Sequence, residues 1–66
     1  MDAKARTARL NQLMVAHGLT ARAAGALIGR TAKTVRNWRS STDRPIPIYA
    51  LAALADALAK QEESQQ

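Results

Sequence analysis

Two pairs of signals, each a glycine followed two residues later by a threonine, cut the first forty residues of this chain into short pieces: Gly18 with Thr20, and Gly29 with Thr31. A glycine takes up the left-handed backbone that ends a helix. A threonine hydroxyl caps the first turn of the next one. Only Ala21 to Ile28 remain between the two pairs, barely two helical turns. One long helix is therefore excluded, and the second break sets this short helix directly against the segment that follows.

The remaining segments also read as helix. Asp2 caps a first helix, about Ala3 to His17, in which Leu10, Leu13 and Met14 recur at helical spacing. Ala24, Leu27 and Ile28 form the apolar stripe of the second. Gly25 in mid-helix costs about 1 kcal/mol against alanine, which points to a tight helix crossing there. After Thr31 a third helix runs to Ser40; Val35 and Trp38, one turn apart, are its only large apolar residues and so face the core. Lys33, Arg36, Asn37 and Ser40 then point outward. Ser40 to Pro47 reads as a loop, because the run SSTD favours turns and Pro45 and Pro47 forbid a continuing helix or a central strand. Pro47 suits the first turn of a fourth helix, with Leu51, Leu54, Ala55 and Leu58 inward, running to about Lys60. The expectation is an all-α, four-helix helix-turn-helix domain over residues 1–61, with 62–66 a polar, frayed tail.

Length and composition narrow the partners. A 66-residue chain is one domain at most and gains only roughly 3–5 kcal/mol from its core, so self-association would help it. With no cysteine and a single histidine, His17, there is no disulfide and no metal-ligand set. No apolar run approaches the roughly 18–20 residues that span a bilayer, and MDAKARTARL lacks the apolar core of a signal peptide. A cytoplasmic protein without membrane partner, cofactor or small-molecule ligand is expected.

The net charge of +5 is unevenly placed. Residues 1–44 hold nine of the ten Lys and Arg against Asp2 and Asp43, a balance of +7, whereas residues 45–66 hold Lys60 against Asp56, Glu62 and Glu63. A positive field over the first two-thirds points to a polyanion. Lys4, Arg6 and Arg9 on the outer face of the first helix either follow a phosphate backbone or are simply solvated. None of the carboxylates is paired around a histidine or serine at helical spacing, so no catalytic constellation is present.

A short capped helix, a glycine turn, and a second capped helix with an apolar pair inside and basic residues outside meet the physical requirements of a helix-turn-helix. Its exposed helix has to fit a major groove about 12 Å wide. Leu19-Thr20, Ala24, Leu27-Ile28-Gly29, Thr31, Val35 and Trp38 stand at the spacings of the phage repressor and Cro-like (XRE-type) helix-turn-helix family, and the chain resembles that family over roughly residues 7–60. It departs from the pattern at Gly25, where alanine is usual, and at Arg30, where an apolar residue is usual. The closing run RPIPIYALAALADALA, behind a recognition helix with Lys33 and Arg36, also resembles the anti-CRISPR-associated autorepressors of phages and mobile elements.

The resemblance implies base contacts from Ala32, Lys33, Arg36 and Asn37. Chemistry agrees for three of them: arginine and lysine suit the guanine O6/N7 edge, and asparagine suits adenine N6/N7. Ala32 reaches no more than a thymine methyl. Thr20, Arg22, Arg30, Thr34, Arg39 and Arg44 are candidates for phosphate contacts, which set register without reading sequence. Trp38 is core rather than a stacking platform, and His17 is a helix-end residue.

One recognition helix reads too few base pairs to be selective, so a homodimer on an inverted repeat is expected, with half-sites about 34 Å apart. Ile46, Ile48, Tyr49, Ala52 and Ala53 are left for its interface once Leu51, Leu54 and Leu58 fill the core. A repressor that blocks a promoter, its own in the simplest case, fits a chain with no room for a sensing or catalytic domain. An antitoxin-like helical interaction module, or the detached DNA-binding part of a transposase or recombinase, would be compatible with the same residues.

Overall fold

The computed structural model describes residues 1–40 and 43–64, which form four helices: α1 (Ala3–Ala16), α2 (Ala21–Ile28), α3 (Ala32–Ser40) and α4 (Ile48–Ser64). Among the described residues there is no strand. The chain is a small all-α domain.

Local chemistry accounts for the first three helix starts. The Asp2 carboxylate accepts the Ala5 N–H at 2.7 Å, the Thr20 hydroxyl accepts the Ala23 N–H at 3.0 Å, and the Thr31 hydroxyl accepts the Thr34 N–H at 3.2 Å. Each satisfies a donor that the first helical turn would otherwise leave open. The ends follow from the two glycines. Gly18, at φ 62°, lets the Leu19 N–H donate to the Met14 carbonyl at 2.8 Å and its own N–H donate to the Val15 carbonyl at 3.2 Å, closing α1 at Ala16 with His17 as its cap. Gly29, at φ 72°, closes α2 in the same way, the Arg30 N–H donating to the Gly25 carbonyl at 2.8 Å.

Gly25 is small for a reason different from a helix crossing. A Cβ on it would run into the Arg30 carbonyl oxygen and lie 3.1 Å from the Arg30 carbonyl carbon and 3.2 Å from that of Thr31. The close neighbour is the chain as it leaves α2 for α3. Smallness at residue 25 is thus a condition of the tight turn itself.

The helices enclose one core, built from Leu10, Leu13 and Met14 of α1, Ala24 of α2, Val35 of α3, and Ala50, Leu51, Leu54 and Leu58 of α4, with Ile46 joining them from the connecting segment. Leu19, Leu27, Ile28 and Trp38 are half-buried against it. α2 packs chiefly on α3 and then on α4, while α1 packs on α3 and α4. The α2–α3 pair is therefore backed by the other two helices.

Three expectations change. Ile46, assigned to a dimer face, is completely buried, because its side chain turns into the core from between the half-buried Pro45 and Pro47. Arg6 is half-buried rather than simply solvated, and its Nη1 donates to the Ile46 carbonyl at 3.3 Å, tying α1 to that segment. α4 begins after Pro47, whose carbonyl accepts the Leu51 N–H at 3.0 Å, and continues past Lys60 to Ser64. Glutamine and glutamate are good helix formers and nothing in residues 61–63 stops the helix. His17 Nε2 also lies 3.6 Å from Glu62 Oε1, joining the last turn of α4 to the end of α1. The turn expected at Ser41 and Thr42 and the tail residues Gln65 and Gln66 lie outside the described residues.

Candidate nucleic-acid interface

Only Gly29, Arg30 and Thr31 separate α2 from α3, so the rotation of α3 is set within a few residues of a fixed turn. Val35, 1% exposed, points into the core, and Trp38 is half-buried one turn later. With that side inward, Lys33, Arg36, Asn37 and Ser40 are all exposed, at the i, i+3, i+4, i+7 spacing of a single helix face. Ala32 and Thr34 are half-buried at its margins, and the Thr34 hydroxyl is 2.9 Å from that of Thr31. Of the four residues assigned to bases, three stand fully outward. Ala32 offers only part of its methyl.

The candidates for phosphate fall into separate settings. Thr20 is exposed at the start of α2, where its hydroxyl accepts the Ala23 N–H. Arg22 and Arg44 are exposed, on α2 and before Pro45. Arg30 is exposed in the turn, where its Nη2 donates to the Tyr49 hydroxyl at 3.0 Å. Arg39 is exposed near the end of α3, and its Nε donates to Asn11 Oδ1 at 2.7 Å.

Arg36, Asn37, Arg39 and Ser40 line one shallow, open depression together with Asn11 of α1. Two guanidinium groups and two side-chain amides share it, and among the described residues no carboxylate lines it. The His17–Glu62 contact and the Lys60–Asp56 ion pair, the latter at 3.2 Å, draw on carboxylates of α4. A pair of acceptors suits such a surface, whether two oxygens of a backbone phosphate or the edge of a base.

Two contacts of this surface escaped the sequence pattern. Asn11 occupies the same stripe of α1 as Leu10 and Met14, a polar residue among core positions, and that placement was the available signal. The partnership of Arg30 with Tyr49 had no such signal, since the two lie 19 residues apart on different elements. The interface candidates of α4 divide as well: Ile48 and Tyr49 are 58% and 66% exposed and Ala52 and Ala53 are exposed beside them, whereas Ile46 is inside. Among the described residues no group of histidine and carboxylate side chains is placed to hold a metal ion, and no helix is long and apolar enough to cross a membrane. Comparison with protein-family models, curated proteins and solved structures gives no match to this chain.

Proposed function

We propose that this chain is a sequence-specific double-stranded DNA-binding regulator of the phage repressor and Cro-like type, acting as a homodimeric autorepressor. The observation that carries the proposal is the single outward face of α3, on which Lys33, Arg36 and Asn37 stand exposed while Val35 on the opposite side is buried. A helix held this way behind a three-residue turn offers donors to the floor of a major groove. Arg36 is the main reader, bidentate to guanine, with Lys33 and Asn37 beside it. Thr20, Arg22, Arg30, Thr34, Arg39 and Arg44 hold the backbone.

Dimerisation is assigned to the exposed start of α4, where Ile48, Tyr49, Ala52 and Ala53 stand together as an apolar patch; Val15 of α1 is also exposed. Occupancy of the promoter by the dimer, with exclusion of polymerase, is the simplest mode of action, and an operator upstream of its own gene is the reading that the resemblance to anti-CRISPR-associated autorepressors favours.

Footprinting on that upstream DNA tests the proposal. Protection of an inverted repeat, with affinity falling steeply as salt rises, is the expected result. An interaction module would leave the DNA unprotected at all salt concentrations. Light scattering after size exclusion counts the subunits, and a strict monomer in the presence of DNA would remove the homodimer from the proposal.

A further inference from the structure

The strongest unassigned feature of the molecule is the amide of Asn11. Its Nδ2 donates to the Thr7 carbonyl at 3.0 Å one turn back on α1, which turns its Oδ1 away from its own helix; that oxygen accepts the Arg39 Nε–H at 2.7 Å. The residues are 28 apart in sequence and lie on two helices that pack together. Asn11 is half-buried, Arg39 is exposed, and both line the depression that also holds Arg36 and Asn37.

We infer that Asn11 is a positioning residue: it holds the Arg39 guanidinium by its Nε edge so that the Nη edge is pre-aimed at a DNA phosphate flanking the bases read by Arg36 and Asn37. The inference rests on the DNA-binding proposal and deepens it. A guanidinium carries five N–H donors in a rigid plane, and Asn11 engages one of them. The outer pair of nitrogens matches two phosphate oxygens. A long side chain that is free in solution loses rotamer freedom when it binds, and one already held on its scaffold loses less. Asn11 thus contributes to binding without touching DNA. It also couples α1 to the end of α3, setting where the recognition helix stops relative to the backbone.

The experiment is a double-mutant cycle of Asn11→Ala and Arg39→Ala in the full chain, read as affinity for a labelled 30-base-pair duplex across a salt series, with melting followed by circular dichroism. Arg39→Ala should reduce the salt slope by about one. Asn11→Ala should weaken binding by about threefold to tenfold, the size of the ordering cost it reinstates, and should have no further effect once Arg39 is alanine. Arg39→Lys, which keeps the charge but not the Nε donor, should also make the chain indifferent to Asn11→Ala. Losses that add in the double variant, or an Asn11→Ala protein that binds as the parent does, would overturn the inference while leaving the DNA-binding proposal standing. Failure of the parent chain to bind any duplex would instead overturn that proposal.

Discussion

Helices α3 and α4 meet the same core in different ways. α3 places a single side chain, Val35, wholly inside and rests Trp38 against the edge, whereas α4 encloses Ala50, Leu51, Leu54 and Leu58. The outer side of α3 is basic and amide-bearing; that of α4 begins with Ile48, Tyr49, Ala52 and Ala53 and becomes charged from Asp56 onward. A helix that presents chemistry is here anchored by little, and the scaffold behind it supplies the burial. Substitutions in the two helices should therefore separate stability from binding.

The largest effect is expected from Leu54→Ala, which empties a fully buried position of α4. A loss of about 2–5 kcal/mol is typical of such a change, comparable to the roughly 3–5 kcal/mol available to so small a domain. Urea or thermal unfolding should show a chain largely unfolded at 25 °C. A cooperative, near-parental transition would break the contrast between scaffold and presenting helix.

Gly25→Ala tests the turn between α2 and α3. The added methyl meets the Arg30 carbonyl, and overpacking of this kind costs about 1–3 kcal/mol, opposed by about 1 kcal/mol of better helix propensity. A lower melting midpoint is expected, and a raised one would show that the turn gives way freely.

Arg36→Ala, on the exposed side of α3, should leave unfolding unchanged and cost about 1–3 kcal/mol in binding to the operator while sparing other sequences. Equal losses on every duplex would move Arg36 from base to phosphate. The smallest effect belongs to Glu62→Gln, which replaces a largely exposed carboxylate 3.6 Å from His17; a change in stability of about 0–1 kcal/mol is expected. Any larger loss would mean that the last turns of α4 are structurally essential to the fold.

Much of this was legible in the order of residues because it is local. Asp2, Thr20 and Thr31 each bond an amide three residues ahead, and Gly18 and Gly29 turn the chain where their neighbours cannot. The outward face of α3 was legible for a related reason, since one apolar pair at helical spacing determines the whole rotation. The helix end at Lys60 was misplaced because glutamine and glutamate are polar yet form helix readily, and polarity alone does not mark a stop.

Contacts between distant residues were not legible. Ile46 lies between two prolines in a segment with no period, and its side chain is completely buried in a segment whose backbone Arg6, forty residues earlier, bonds. The same is true of Arg39, whose charge was apparent but whose direction is set by Asn11 on another helix. The sequence by itself determined where the first three helices start, where α1 and α2 stop and which side of α3 turns outward, since those depend on backbone donors and spacing within a few residues. Only the tertiary structure decided which cations are held, which are left free and which apolar residues of residues 46–53 remain outside, because those outcomes depend on which helices come to lie side by side.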